Sequence, residues 1–312
     1  MTKKNVVAAD RVRVGRRVFE TKHVDKIYFP EDGLTKHDLM AYYQLVGATM
    51  LPYIRYHPLT MHRFPGGIYG ESFYQKDAPD YFPSWIKTMT IKNKTMRGSN
   101  RYVVGYDSAT LVYLASQGCI TPHYWLSTID ALNYPDRLIF DIDPPHDEEA
   151  VDFDLVKSIA GELKELLEEF GIIAWVMTTG SRGVHVVVSI KQEYPFEHVR
   201  ACARALAHVV VERDPQRVTL ESRNEKRKHK MMIDVMRNGY GATAVAPYAV
   251  RAHPGAPVAT PVTWNELKNL TSSQAYTMKT IPKRIKQHGD AWKGMVRSKR
   301  SLRALMNRFG KQ

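Results

Sequence analysis

Apolar residues recur at helical spacing in three stretches of this chain, and strand-like runs lie between them. Residues 37–53 place Leu39, Met40, Tyr43, Val46 and Met50 on one helical face, with Pro52 near the end. Residues 152–170 do the same with Val156, Ile159, Ala160, Leu163, Leu166, Leu167 and Phe170, and Gly171 follows as a stop signal. A third helix is predicted over 197–212. Strands are predicted over 101–106, 111–114, 137–143, 172–178, 184–190 and 230–237, then a proline-punctuated connection over 243–261 and a short helix beginning at Thr263. The middle of the chain therefore reads strand, helix, strand, turn, strand. This order predicts an α/β class with a largely antiparallel central sheet flanked by helices. No internal repeat or low-complexity linker interrupts the pattern, so the chain reads as one unit.

Composition narrows the partner class more than the fold. The 312 residues carry 45 Lys+Arg against 32 Asp+Glu, a formal net charge of +13, and ten Lys/Arg against one Asp fall within 283–312. Trp292, Met295, Val296, Leu302, Leu305, Met306 and Phe309 are spaced roughly helically there, so the tail is expected to be a basic amphipathic helix. A polyanion, nucleic acid first and an acidic membrane surface second, is the partner this charge favours. No run of about 18 to 20 apolar residues suits a membrane span, and the start lacks the apolar core of a secretory signal. Cys119 and Cys202 stand alone in apolar surroundings, which argues against a disulfide framework or a zinc site. A cytoplasmic location is expected.

Three elements carry candidate chemistry. In Leu138-Ile-Phe-Asp-Ile-Asp-Pro144, alternation points Leu138, Phe140 and Ile142 one way and Asp141 and Asp143 the other. Two carboxylates on one face suit Mg²⁺ or Mn²⁺, although a bare DxD also fits a solvated strand end. Asp234, inside Met231-Met-Ile-Asp-Val-Met236, puts a charge between apolar neighbours; a metal would explain it, and so would a salt bridge to Arg237 or a neighbouring lysine. Three carboxylates on two strands are the usual protein share of a two-metal phosphoryl-transfer site. Thr178-Thr-Gly-Ser-Arg-Gly-Val-His185 joins two strands through a glycine turn whose backbone N–H groups, with Thr179, Ser181 and Arg182, suit a phosphate chain, and His185 opens the next strand facing it. No Gly-Lys-Ser/Thr follows, so this is not a Walker loop.

These elements, in this order, with the segment running from Asp234 through Arg-Asn-Gly-Tyr-Gly, Arg251-Ala-His253 and on to Pro261, resemble the polymerase domain of bacterial ligase D. That domain is an end-joining branch of the archaeo-eukaryotic primase superfamily. The resemblance extends from Asp25-Lys-Ile-Tyr-Phe-Pro30 to Trp264-Asn-Glu-Leu267. It implies a primase-like fold in a single domain over 1–312, with a DNA-binding lobe over 1–120, a catalytic core over 121–270 and a basic helical tail over 271–312. It further implies that Asp141, Asp143 and Asp234 are the catalytic metal ligands, and that Thr179, Ser181, Arg182, His185, Arg237, Arg251 and His123 surround the nucleotide. By the same likeness Lys26 and Lys36 hold a DNA 5′-phosphate, Phe73 and Tyr74 stack on the template, and residues 92–101 form a basic end-bridging loop.

The activity implied is template-directed addition of nucleotides to a primer 3′-hydroxyl at gaps and double-strand break ends in non-homologous end joining. Ribonucleotides are implied as the preferred substrate, NTP over dNTP, and two Mn²⁺ or Mg²⁺ ions as cofactors. The implied partners are gapped, nicked or 3′-overhang DNA, Ku and a DNA ligase, with the protein at the nucleoid. The length leaves no room for ligase and nuclease modules, so a free-standing protein or an excised domain is expected. His62, Tyr74 and His253 depart from the pattern, where a lysine, a second phenylalanine and an arginine are usual. De novo priming, end binding without catalysis and DxD sugar transfer remain open; two isolated cysteines cannot build a primase zinc element, and a sugar transferase leaves the basic tail unexplained.

Overall fold

The computed structural model describes residues 10–92, 97–145, 151–227 and 229–309. A hairpin of β1 (Asp10–Val14) and β2 (Arg17–Thr21) precedes a second small pair, β3 (Ile27–Phe29) and β4 (Leu34–Thr35). Helix α1 (Lys36–Ile54) starts where Thr35 and Asp38 form a capping box, each side chain bonding the other's backbone N–H. Strands β5 (Pro58–Arg63), β6 (Phe73–Gln75), β7 (Thr88–Lys92) and β8 (Ser99–Val104) follow, then α2 (Ser108–Ser116) and β9 (Cys119–Trp125).

The middle of the chain holds β10 (Arg137–Asp143), α3 (Phe153–Glu168), β11 (Ala174–Thr178), β12 (Val184–Ser189), α4 (Phe196–Arg213), β13 (Val218–Thr219), α5 (Asn224–Arg227) and β14 (Met231–Asp234). The chain ends through β15 (Thr243–Val245), β16 (Thr260–Val262), α6 (Trp264–Asn269), α7 (Ile281–His288) and α8 (Arg303–Phe309). Thr263 caps α6 with Glu266, as the sequence signal requires.

The strands divide over two main sheets. One runs β13-β14-β10-β12-β11-β16, antiparallel except for the β13/β14 pair; the other runs β15-β9-β5-β8-β7 with β6 on β5. The chain crosses between them from β9 to β10 and returns from β14 to β15. The first sheet is buried on both faces. Leu138, Phe140, Ile142, Val184, Val186 and Val188 pack with α3 and α4, whereas Ile139, Met177 and Val187 join the core built by α1, α2 and the second sheet. Asp141 and Asp143 alternate with the first set and so face the seam between the sheets.

Two expectations are corrected. Residues 111–114 are helical, inside α2, where Asp107 accepts a hydrogen bond from the Thr110 N–H. Every residue of that helix from Ala109 to Ser116 is buried. An apolar run with no polar face reads as a buried strand when only periodicity is used.

The tail is not one helix. Gly289 and Gly294 adopt positive φ, at 72° and 95°, and break it into α7, a 3₁₀ turn and α8. Trp292 and Met295 are buried in the core of the second sheet, and Leu302 and Leu305 in the core of the first. Trp292 Nε1 donates to the Val176 carbonyl at 2.9 Å, and Asp290 accepts from the hydroxyls of Tyr53 and Tyr248. The basic tail thus stitches the two halves together. Of the expected end-bridging loop, residues 92 and 99–101 belong to the β7/β8 hairpin, and 93–96 lie outside the described residues. Both cysteines are buried and unpaired, and among the described residues no helix is long and apolar enough to cross a membrane.

Candidate active site

The register of the first sheet assembles the site. Asp141 lies directly opposite Asp234 on β14 and directly opposite His185 on β12. His185 Nε2 sits 3.4 Å from Asp141 Oδ1, and the Arg237 Nε donates to Asp141 Oδ2 at 3.3 Å. Arg227 donates to Asp143 Oδ2 at 3.1 Å. Burial by itself would raise the Asp141 carboxyl, but His185 and Arg237 outweigh it and hold the pKa at about 2. At Asp234 burial raises the pKa, and the neighbouring Asp141 and Asp143 charges add to it against the Met236 N–H and Arg237.

Strand β14 ends at Asp234, and the backbone of β10 beyond it needs another partner. Asn238 supplies it. Its buried Oδ1 accepts from the Ile139 N–H at 2.9 Å, and its Nδ2 donates to the Ile139 and Val235 carbonyls at 2.7 and 2.9 Å.

The turn between β11 and β12 forms the opposite wall. Gly180 has φ +63°, and a Cβ there would fall 2.7 Å from the Val258 backbone; a Cβ at Gly183 would overlap the Ile142 carbonyl oxygen. Only glycines let this turn press against β10 and the 250s loop. Thr179 Oγ1 donates to the Gly183 carbonyl at 2.9 Å, the Arg182 guanidinium donates to the Pro145 carbonyl, and Arg251 donates to the Thr179 carbonyl at 2.8 Å. Ser181 Oγ lies 3.4 Å from His253 Nε2.

Together these residues enclose a cleft of about 170 Å³. Tyr74, His123, Asp141, Asp143, Thr179, Ser181, Arg182, His185, Arg237 and Arg251 all line it. Its two buried histidines retain polar atoms without a protein partner, His123 Nε2 and His185 Nδ1. Burial, then Arg251 and Arg237, push His123 well below the usual histidine range, so it is neutral. Asp234 lines an adjoining cavity of about 340 Å³ that shares Tyr74 and Arg237 with the cleft.

The aromatic pair is split. As neighbours on β6, Phe73 and Tyr74 point to opposite faces. Tyr74 stacks on His62, ring centroids 4.0 Å apart at 12°, and faces the cleft. Phe73 lies beneath the Arg63 guanidinium, 5.5 Å from its ring centre. His62, burdened by burial and by Arg251, is pushed down to about 4 and is neutral near pH 7.

Lys26 and Lys36 belong to a different place, a cavity of about 570 Å³ also lined by His23, Asp25, Tyr28, Arg63, Ser116 and Gln117. Lys36 is buried and donates to the Lys22 carbonyl at 2.6 Å; burial, then the Lys26 charge, lowers its pKa. Lys26 donates to the Pro65 carbonyl at 2.7 Å. Arg63, which the sequence reading passed over, donates to the Gln117 carbonyl at 2.8 Å and to Gln75 at 2.6 Å. It connects this cavity to Phe73. Arg227 and Asn238 were also missed: arginine and asparagine in a polar stretch give no periodic signal, and only the strand register reveals what they bind.

The profile of the LigD primase-polymerase domain family matches residues 35–292. The chain belongs to this family. Its chemistry is nucleotidyl transfer, which takes a nucleoside triphosphate and a divalent cation. The bifunctional non-homologous end joining protein LigD of Bacillus subtilis is 30% identical over 267 residues, covering 85% of this chain and 42% of that protein. The multifunctional LigD of Mycolicibacterium smegmatis is 28% identical over 245 residues, 78% of this chain and 32% of the relative. The chain therefore spans well under half the length of these relatives. Among solved structures, the polymerase domain of Mycobacterium tuberculosis ligase D in complex with DNA matches with a TM-score of 0.80 at 25% identity, over 91% of this chain and 100% of that one. The mixed α/β fold with its antiparallel sheets agrees with that neighbour.

The donor set suits a hard divalent cation. Asp141 and Asp234 face each other across the sheet with Asp143 near them, and burial first, then the Asp141 and Asp143 charges, raises the Asp234 pKa, a combination a bound cation would relieve. Among the described residues no three metal-ligating side chains already stand in coordinating array. Arg227 and Arg237 hold Asp143 and Asp141, and a bound cation would displace those contacts.

Proposed function

We propose that this protein extends a DNA primer 3′-hydroxyl opposite a template at gaps and broken ends, in non-homologous end joining, with ribonucleotides preferred. The observation that carries the reading is the cross-strand register of Asp141 with Asp234 and His185, beside a glycine turn and two arginines suited to a triphosphate. Asp141, Asp143 and Asp234 would hold two Mn²⁺ or Mg²⁺ ions. When bound, such ions lower the pKa of the attacking hydroxyl and neutralise the leaving pyrophosphate. The primer 3′-oxygen bonds to the α-phosphorus, the α–β bridging P–O bond breaks, pyrophosphate leaves with its electron pair, and the hydroxyl proton passes to water.

The chain's own contribution is positioning and charge. Arg182, Arg237 and Arg251 with the Thr179 and Ser181 hydroxyls bind the phosphates. The orphaned His123 Nε2 and His185 Nδ1 are polar atoms available to a nucleotide in the cleft. Lys26 and Lys36, in their separate cavity, would take the downstream 5′-phosphate, and Phe73 the template. DNA, Ku and a ligase are the proposed partners, in the cytoplasm at the nucleoid. The apolar residues of the described tail enter the two cores, and most of its basic side chains, Arg284 apart, are exposed.

Primer extension on a gapped duplex, with and without a downstream 5′-phosphate and with NTP against dNTP in Mn²⁺, tests the reading. Phosphate-stimulated, ribonucleotide-favouring extension that needs Asp141 is expected. No extension alongside tight 5′-phosphate-dependent binding would replace this reading with an end-binding module.

A further inference from the structure

Strand β14 pairs with β10 only from Asp141 to Asp143, where Asp141 meets Asp234. Ile139 lies two positions before Asp141 and turns its backbone groups toward the same side of β10. A longer β14 would meet them there, but past Asp234 the chain enters a 3₁₀ turn over Met236–Asn238. Asn238 takes the place of the missing strand. Its side-chain amide accepts from the Ile139 N–H and donates to the Ile139 carbonyl, the same exchange of bonds that two paired strand residues make. The amide also donates to the carbonyl of Val235, the residue after Asp234, and the Asn238 backbone N–H bonds that oxygen at 3.1 Å. One fully buried side chain thus ties the strand just before Asp141 to the chain just after Asp234. Arg237, the preceding residue, donates to Asp141 itself. An amide is the fitting group: a carboxylate of the same length lacks the donors, and a serine hydroxyl cannot make all three side-chain bonds.

We propose that Asn238 is a positioning residue for the divalent cation: by holding Asp234 in register with Asp141 it presets the spacing of the carboxylates that receive the ion. It lines neither the cleft nor the cavity beside it, so it acts through those two residues and touches no ligand. An amide that merely satisfied buried backbone groups would add stability and leave cation affinity alone. Groups that hold metal ligands from behind change metal affinity by about 10- to 100-fold when removed. The assignment rests on the reading of Asp141, Asp143 and Asp234 as cation ligands.

The test titrates Mn²⁺ into the full chain, follows the free ion by electron paramagnetic resonance, and records the denaturant midpoint and the binding of 5′-phosphorylated gapped DNA beside it. The unaltered chain is compared with Asn238→Ala, Asn238→Ser and Leu39→Ala, the last a truncation in the α1 core away from the carboxylates. Asn238→Ala should raise the Mn²⁺ Kd by about 10-fold while DNA binding stays put. Asn238→Ser, which returns one acceptor to the Ile139 N–H, should raise it less, and it carries the test if the alanine variant fails to fold. Leu39→Ala should lower the midpoint without moving the Mn²⁺ Kd. A folded Asn238 variant with an unchanged Kd, or an equal rise in Kd for Leu39→Ala, overturns the proposal and leaves the carboxylate reading intact. If the unaltered chain takes up no Mn²⁺, the carboxylate reading falls and this assignment with it. If Mn²⁺ binding depends on Asn238 yet no primer is ever extended, the extension reading falls and the positioning role stands.

Discussion

In the proposed reading the cleft around Asp141 and the cavity around Lys26 and Lys36 both receive phosphate, by different means. The cleft sits on the buried sheet, its walls fixed by strand register, by two glycines pressed against backbone and by arginines already bonded to carbonyls and carboxylates. The lysine cavity lies among short strands and a helix start, and its two lysines donate to backbone carbonyls. Fixed forks hold a triphosphate in one geometry, whereas point charges on long stems accept a terminal phosphate without demanding orientation. On the proposed function that difference suits the first to chemistry and the second to docking.

The sharpest way to break that division is Asp141→Ala. It should lower extension by at least about 100-fold while 5′-phosphate-dependent DNA binding survives; lost binding with activity retained would reverse the assignment. Next in size is Gly183→Ala, whose Cβ would overlap the Ile142 carbonyl oxygen. Overpacking of this kind costs about 1–3 kcal/mol, so denaturant midpoint and activity should fall together, and an unchanged midpoint would mean the turn is looser than drawn. Lys26→Ala with Lys36→Ala should weaken binding to 5′-phosphorylated gaps by about 10-fold and abolish stimulation by the phosphate, with the rate at saturating DNA unchanged. A fall in that rate would join the two sites into one.

The smallest effect concerns pH. Burial depresses His62 to about 4 and lowers His123 and His253. Between those values and the ordinary 6.5 the unfolded chain binds more protons, so stability should fall as pH drops from about 6.5 toward 4. His62→Gln should flatten the thermal-midpoint profile in that window; an identical profile would show that His62 is hydrated and titrates normally.

Much of the site was legible because it lies on regular elements. Period-two alternation put Asp141 and Asp143 on the face away from Leu138, Phe140 and Ile142, and the structure packs those three against α3 and α4. Asp234 stood out as a charge inside an apolar run, and of the two explanations offered for it the structure shows the ion pair. It joins the carboxylate group, and its Oδ2 lies 4.0 Å from Arg237. The Thr179–Gly183 turn announced itself through its glycines.

What periodicity could not supply was who meets whom. Helix α2 was misread because a helix buried all round has no polar face to reveal its period. The tail was drawn as one helix because its apolar spacing is helical, yet two glycines at positive φ divide it and its apolar residues enter two separate cores.

The amino-acid sequence by itself determined the class of elements, the excess of positive charge, the three carboxylates and the phosphate-suited turn, because those follow from local spacing and side-chain chemistry. Only the tertiary structure decided that Asp141 faces Asp234 and His185, that Tyr74 enters the cleft while Phe73 turns to Arg63, and that Arg227 and Asn238 belong to the site at all. Those facts depend on strand register and sheet-to-sheet packing, which join residues up to about a hundred positions apart and leave no trace in any short window of sequence.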